Sequence, residues 1–362
     1  MEQNKELRQA WDFVEHTGTS IFLTGKAGTG KTTFLKMVKE HSSKRMIVVA
    51  PTGVAAINAG GVTIHSFFQL PLSPYVPGTK FQDKFDFGKE RRRIIRTLDM
   101  LVIDEISMVR SDLLDAVDII LRRYRDRTRP FGGVQLLMIG DLQQLTPVVT
   151  PQDEVILRAY YDTPYFFGSK ALQQISYVTI QLTQVYRQQD QTFINILNHI
   201  RDGHPTEEDI ARLNKRCQPS FVPKAEEGYI RLSTHNRMAD SYNENELAKL
   251  SGKMFDYKAE IEGLFPENNY PAEVNLELKL GAQVMFLKND PSGAKRYYNG
   301  RIGHIVAITD DSIEVMCVGD RKTIKVEPQE WQNTKYAINP STHVIEEQVQ
   351  GVFRQYPLRL AW

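Results

Sequence analysis

An α/β fold built on a parallel sheet, followed by a small β-rich module, is the class this sequence of 362 residues predicts, and three observations carry the prediction. Short apolar runs at 21–23, 46–49, 101–103 and 136–139 alternate with helical patterns, the rhythm of βαβ units around buried strands. The octapeptide Gly25-Lys26-Ala27-Gly28-Thr29-Gly30-Lys31-Thr32 follows the first run and opens a helix. From about residue 275 the texture changes to turn-bounded β-like runs at 282–287, 302–308, 312–318 and 323–326, as in a small antiparallel barrel or sandwich.

Length and composition set the frame. A chain this long exceeds one typical domain, and 41% hydrophobic with 25% charged residues is a folded composition rather than a disordered one. No apolar run reaches the ~18 residues of a membrane span, and the polar N-terminus does not read as a signal peptide. Cys217 and Cys317 stand alone, which excludes a disulfide framework or zinc ribbon and predicts a reducing, cytoplasmic setting. With a net charge of +1, affinity for nucleic acid has to come from local patches.

Along the chain, the first apolar run and its glycine-rich turn match G-x-x-x-x-G-K-[ST] in the strand-to-helix context of a P-loop NTPase. Gly25, Gly28, Thr29 and Gly30 let backbone N–H groups wrap phosphates at a helix N-terminus, joined by Thr33; Lys31 reaches the outer phosphate oxygens and the Thr32 hydroxyl takes a place on Mg²⁺. ATP or GTP with Mg²⁺ is the implied ligand. The third run ends in Asp104 and Glu105, where Asp104 holds the Mg²⁺ sphere and Glu105 orients or deprotonates the attacking water. Alone, two acids at a strand end read as a solvated edge or a helix cap. The fourth run ends Gly140-Asp141-Leu142-Gln143-Gln144, and Gln144 reads either as a γ-phosphate sensor or as a turn amide bonded to its own loop.

Between these runs the segment 66–93 breaks the pattern with Pro71, Pro74 and Pro77 and the aromatics Phe67, Phe68, Tyr75, Phe81, Phe85 and Phe87, which predicts an inserted functional element. A second α/β stretch is expected after residue 179, with a helix over 191–200, a helix from Thr206 behind a Thr-x-x-Asp capping signal, a strand at 229–232 and a helix at 238–250. Arg187 opens that stretch and is the expected arginine finger, the cation that neutralises transition-state charge from the far side of a nucleotide. The basic runs at 91–96 and 122–129 read as solvated helix faces.

The order of G-K-A-G-T-G-K-T, A-P-T-G-V-A-A (50–56), T-I-H-S-F-F (63–68), D-E-I-S-M (104–108), G-D-L-Q-Q-L-T-P-V (140–148) and L-T-Q-V-Y-R (182–187) resembles the petite-integration-frequency (PIF) helicases of superfamily 1, group B, relatives of RecD. Particularly specific is Glu105-Ile106-Ser107-Met108 running into 113–125, and the likeness extends to 280–285 and 298–300. The resemblance implies two RecA-like parallel-sheet domains, the first with a wedge element and the second with a small β-barrel insertion. It divides the chain into domain 1A at 1–175 with wedge 1B at about 66–93, a partial domain 2A at 176–255, a β-rich domain 2B at 256–355, and a return to 2A at 356–362.

Further implications are an ATP-driven helicase moving 5′ to 3′ on single-stranded DNA, acting at single-strand/duplex junctions as a monomer able to pair on DNA. Roles in replication, repair and telomere-type maintenance and a bacterial nucleoid-associated setting follow by the same likeness. DNA contacts are placed at Pro51, Thr52, Gly53, His65 and Phe68, and in the second half at His235, Asn236, Lys288 and Asn289. Backbone contacts with aromatic stacking, worth about 1 to 3 kcal/mol per base, suit sequence-neutral binding. By themselves His65 and His235 read equally as structural histidines, and the phenylalanines as core.

Driving a two-state closure with nucleotide takes ~5.5 kcal/mol of differential binding, against ~1.4 kcal/mol for opening an average DNA step, so one base pair per cycle is within reach. The family continues past its β-rich part with a T-x-H-K-S-Q-G segment and a later arginine motif. Neither is in this sequence, so a piece of a longer helicase is expected. The competing class is a P-loop ATPase that remodels DNA or protein without strand separation, and stimulation by single-stranded DNA discriminates the two.

Overall fold

The computed structural model describes residues 4–71, 73–78, 87–186, 190–224, 227–292, 294, 296–338 and 345–362, with side chains left aside at 268, 334–338 and 345–347. The chain divides into two compact units, Met1–Asn214 with Thr334–Gln348, and Lys215–Asn333 with Val349–Trp362.

The first unit contains, in order, α1 (Lys5–His16), β1 (Ser20–Gly25), α2 (Lys31–His41), β2 (Met46–Ala50), α3 (Gly53–Ala59), β3 (Val62–Thr63), α4 (Ile64–Phe68), α5 (Lys89–Thr97), β4 (Met100–Ile103), α6 (Ser111–Tyr124), β5 (Gln135–Gly140), α7 (Pro151–Leu157), β6 (Tyr177–Leu182), α8 (Gln191–Arg201) and α9 (Glu207–Asn214). Its six strands form one parallel sheet in the order β3-β2-β4-β5-β1-β6. The four apolar runs read from the sequence are β1, β2, β4 and β5.

They are apolar at every position because the sheet is covered on both faces, as parallel sheets are. Successive side chains point to opposite faces. Phe22, Ile47, Val49, Leu101, Ile103, Leu136 and Met138 join one core with α4, α5 and α6. Ile21, Leu23, Val48, Met100, Val102, Leu137 and Ile139 join the other with α1 and α2. Each fully buried side chain contributes on the order of 1.5 to 3 kcal/mol, so a register slip in any of these strands is strongly disfavoured.

Register brings the ends that matter into line: Thr24 pairs with Gly140, and Ile103 with Met138. The segments that follow β1, β4 and β5 therefore leave the same edge of the sheet, with the β5 turn between the other two. β6 departs from expectation, since Tyr177–Leu182 does not start a second sheet but pairs along the whole of β1.

The expected strand at 229–232 is also absent. Among the described residues that stretch joins no strand ladder: the Arg231 amide donates to the Trp362 carbonyl, and the Tyr229 carbonyl accepts from Gln283 Nε2. An extended segment becomes a strand only beside a neighbour that supplies a ladder. Among the described residues there is accordingly one parallel sheet.

Three helices of the expected set form. α9 carries the reciprocal cap, with the Asp209 amide donating to Thr206 Oγ1 and the Thr206 amide to the Asp209 carboxylate. Among the described residues no helix is long and apolar enough to cross a membrane.

The second unit contains α10 (Asn236–Lys249) and the strands β7 (Phe255–Lys258), β8 (Glu260–Gly263), β9 (Asn275–Leu278), β10 (Gln283–Phe286), β11 (Ile302–Thr309), β12 (Ser312–Cys317), β13 (Thr323–Val326) and β16 (Leu358–Leu360), together with the start of β14 (Gln329–Ile338) and the end of β15 (Ile345–Gln355), whose remaining residues are counted with the first unit. A five-stranded antiparallel sheet runs β13-β12-β11-β10-β16, beside a three-stranded sheet β14-β15-β8 and the pair β7-β9. Alternate residues, such as Ile313, Val315 and Cys317 or Val284 and Phe286, form its core with Leu247 of α10. This is the one-sided pattern of an antiparallel sheet.

Candidate nucleotide site and candidate DNA-contact residues

The loop after β1 leads into α2, whose N-cap Gly30 has φ +97°, a conformation that side chains disfavour. Gly30 supplies no side-chain cap, and the first turn of the helix holds no acid. The first N–H groups of α2 therefore lack intrahelical acceptors and carry the positive end of the helix dipole, an anion-binding arrangement. Thr32 and Thr33 are exposed there, whereas Thr29 is fully buried and its hydroxyl donates to the Lys26 carbonyl.

Lys31 donates from Nζ to the Gly25 and Lys26 carbonyls of the same loop. Burial lowers its pKa; Asp141, Glu105 and Asp104 pull the other way and Arg201 adds to the depression. Each of the three acids follows a strand end at the common edge. Burial, reinforced by the Glu105 charge, pushes the Asp104 carboxyl up to about 6 against the Glu105 amide and Lys31. Glu105 sits in the left-handed region at φ 51°. Such strain in a residue with a side chain is often held at working sites.

Gly140, at the end of β5, gives Ile106 and Ser107 room: a Cβ there would lie 2.8 Å from the Ile106 methyl and 3.1 Å from the Ser107 nitrogen. Asp141 beyond it is 1% exposed and accepts from the Gln143 amide at 3.1 Å and from Gln144 Nε2 at 3.0 Å. Gln144 itself is exposed at the loop surface. The structure thus gathers Lys31, Asp104, Glu105 and the Asp141–Gln144 turn at one sheet edge, with the exposed Thr32 on the first turn of α2. Arg187 lies outside the described residues.

The donor set suits Mg²⁺. A hydroxyl and a carboxylate are hard oxygen ligands, and the raised pKa of Asp104 marks a half-buried, poorly solvated charge that a divalent cation would relieve.

Three residues that sequence reasoning passed over belong here. Arg201, at the end of α8, donates from both terminal nitrogens to the Asp141 carboxylate, at 2.7 and 2.6 Å. Asn198, one turn earlier, accepts from Lys26 Nζ. Tyr186 donates its amide to the Gly28 carbonyl at 2.8 Å, and its ring carbons lie 3.8 and 4.0 Å from where a Gly30 Cβ would be. Its hydroxyl accepts from Asn4 and donates to Gln184. The one available signal was Asp141 itself, a carboxylate just past the apolar run 136–139 that needs a cation.

The residues proposed to touch DNA fall into both units. In the first, Pro51 is half-buried, and Thr52 caps α3 by accepting from the Ala55 amide ahead of Gly53. His65 is half-buried, and burial followed by the Arg110 charge lowers its pKa against the pull of Asp112. Phe68 is a correction: it is 0% exposed, packed edge-on against Phe67 with ring centroids 4.8 Å apart, and has no face for a base.

The same holds for much of the aromatic insertion. Phe87 is buried and stacked on Tyr124 at 5.2 Å, with the Arg91 guanidinium 5.4 Å from its ring centroid, while Phe81 and Phe85 lie outside the described residues.

In the second unit, His235 precedes α10 and bonds to Thr234, and Asn236 lines a groove of about 670 Å³ with Arg231, Met238, Tyr242 and Trp362. Lys288 donates to the Glu330 carbonyl at 2.6 Å and lies over the Trp331 ring; burial lowers its pKa against the pull of Glu330. Asn289 is exposed and accepts from the Asn299 amide.

Comparison with known proteins places this geometry. Residues 1–211 match the family model described as PIF1-like helicase. The ATP-dependent DNA helicase PIF1 of Candida albicans is 35% identical over 318 residues, covering 81% of this chain and 33% of its own length. The chain thus spans about a third of that relative. Two solved structures of Bacteroides Pif1 are 38% identical: a complex with ADP-AlF4 (TM-score 0.92, covering 100% of this chain and 82% of that one) and a complex with single-stranded DNA (TM-score 0.65, 99% and 81%). With a parallel-sheet core of P-loop, RecA-like type and a family match over more than half its length, the chain belongs to the PIF1-like helicases.

Proposed function

We propose that this chain carries the ATP-hydrolysing core of a DNA helicase that moves 5′ to 3′ on single-stranded DNA and opens duplex or structured DNA. The observation that carries the reading is the convergence of Lys31, Asp104, Glu105 and the Asp141–Gln144 turn at the edge where the N-terminus of α2 opens. In this reading the α2 N-terminus and Lys31 bind the ATP phosphates, and Thr32 and Asp104 hold Mg²⁺. Bound there, Mg²⁺ would screen the phosphate charge and polarise the γ-phosphate. Glu105 accepts the proton of the attacking water, and Gln144 reports the γ-phosphate to the loop that follows it. Arg187, five residues beyond β6, supplies the finger.

The PIF1 name of the Candida relative and the DNA bound to the Bacteroides protein support DNA as partner. In this scheme single-stranded DNA passes Pro51–Gly53 and His65 in the first unit and His235, Asn236, Lys288 and Asn289 in the second, and the junction is opened by the 66–93 element. The division into 1A, 1B, 2A and 2B belongs to the same proposal, with β6 paired to β1 in the first sheet.

The test is the steady-state ATPase rate with and without single-stranded DNA, using Lys31→Ala as control, followed by unwinding of substrates with a 5′ or a 3′ tail. Stimulation lost in the control, with unwinding from the 5′ tail, is the expected result. DNA-stimulated hydrolysis without strand separation would instead favour a remodelling ATPase.

A further inference from the structure

Arg201 lies in no motif that the sequence marks, yet it is built into the nucleotide site. Its side chain is 18% exposed and its partner carboxylate 1%, and the two make a bidentate pair, the strong form of arginine recognition. The Asp141 carboxylate also accepts from the Gln143 amide and from Gln144 Nε2, and Gln143 Nε2 returns a bond to the Arg201 carbonyl at 2.8 Å. The turn that carries Gln144 is therefore tied at both its carboxylate and its neighbouring amide to the last turn of α8.

Asn198, three residues earlier and so on the same helical face, holds Lys26 of the loop after β1. One helix thus fastens both loops of the nucleotide site. Arg201 also lies close enough to depress the Lys31 pKa.

We propose that Arg201 is a positioning residue for nucleotide hydrolysis: by clamping Asp141 it sets the orientation of Gln144 toward the γ-phosphate. This rests on the hydrolytic reading above and adds to it an element, α8, that the motifs do not assign. A pair that only propped the fold would have no reason to share its carboxylate, among the described residues, with both members of the Gln143–Gln144 turn.

The test compares the unmutated chain with Arg201→Gln, Arg201→Lys, Gln144→Ala and the double variant Arg201→Gln/Gln144→Ala. Measured are kcat and KM for ATP in the presence of single-stranded DNA, and the affinities for ADP alone and for ADP with aluminium fluoride. Misplacing a reacting group by about 1 Å costs on the order of 10²-fold, so Arg201→Gln is expected to lower kcat by roughly 10- to 100-fold with KM little changed. Affinity for ADP with aluminium fluoride falls by a similar factor while that for ADP holds. Arg201→Lys, which keeps the charge without the fork, restores part of the loss, and the double variant is no worse than Gln144→Ala.

Losses that multiply in the double variant, or equal losses of ADP and ADP–aluminium fluoride affinity, would overturn the proposal. If Arg201→Gln fails to fold, Arg201→Gln/Asp141→Asn leaves no buried unpaired charge and is judged by the same comparison. An unmutated chain that binds ADP–aluminium fluoride no better than ADP counts against hydrolysis itself. Unimpaired variants beside an active unmutated chain count against Arg201 alone.

Discussion

In the first unit Asp104, Glu105 and Asp141 crowd one end of a sheet buried on both faces, closely enough to act on the ionisation of Lys31. In the second, His235, Asn236 and Asn289 are exposed, and His235 and Asn289 bond to near neighbours in chain or loop. The difference follows the chemistry each is proposed to serve. Stabilising charge that develops on a phosphoryl group needs donors fixed in advance in a poorly solvated place. Holding a DNA backbone needs only several modest contacts along a path, each tolerant of rotation. Mutations should separate the two: deep, single-residue losses in the first unit and shallow, additive ones in the second.

The largest effect is expected at Glu105. Glu105→Gln removes the proposed proton acceptor while keeping shape, and general-base catalysis contributes about 10²- to 10⁴-fold. ATP turnover should fall within that range, with nucleotide affinity retained in an equilibrium titration. A fall of less than tenfold would assign the base elsewhere.

Phe68 sharpens the comparison from within the first unit, because there a motif residue turns out to be core. Phe68→Ala empties a fully buried site and should cost about 3 to 5 kcal/mol in denaturant unfolding, with DNA affinity per folded molecule unchanged. A selective loss of DNA binding in a stably folded variant would restore the stacking role.

How far the sequence was legible follows the same division. β1, β2, β4 and β5 were readable because a parallel sheet covered on both faces demands unbroken apolar runs, and the motifs at their ends mark the sheet edge. β6 was not, since Tyr177-Val178-Thr179-Ile180-Gln181-Leu182 alternates polar and apolar as an edge strand does, and nothing local says which sheet it joins. Arg201 and Asp141 are 60 residues apart, and no spacing rule connects them. The fate of Phe67 and Phe68 was undecidable from T-I-H-S-F-F, because an apolar ring serves a core or a base equally well.

Asp104 gives the pH test. Its carboxyl is raised from 3.8 to about 6 in the folded chain, so between those values the folded state binds the extra proton and stability falls as pH rises. Above about pH 6 the full cost of the buried charge is present. Asp104→Asn removes it, and in chelator, without nucleotide, the variant should be more stable than the parent near neutral pH by on the order of 2 kcal/mol. Below about pH 4 the gain should vanish. Thermal unfolding across that range reads both limits, and a gain that persists into acid would mean that burial of charge is not its source.

The smallest effect is expected in the second unit, at Lys288. Its ammonium is already engaged by the Glu330 carbonyl and the Trp331 ring face at 5.0 Å, so it meets a phosphate only as one more partner of a half-buried cation. One contact to single-stranded DNA changes the salt dependence of log K by about 0.7. Lys288→Ala should therefore weaken binding several-fold at low salt, reduce the salt slope by about that amount, and leave DNA-independent ATP hydrolysis as it was. If the variant instead loses about 0.5 to 1 kcal/mol of stability with an unchanged salt slope, Lys288 is a cation–π strut for the β-rich unit. The DNA path in that unit would then have to be carried by Asn289, Asn236 and His235, whose side chains hold no buried charge and can turn toward a strand at little cost.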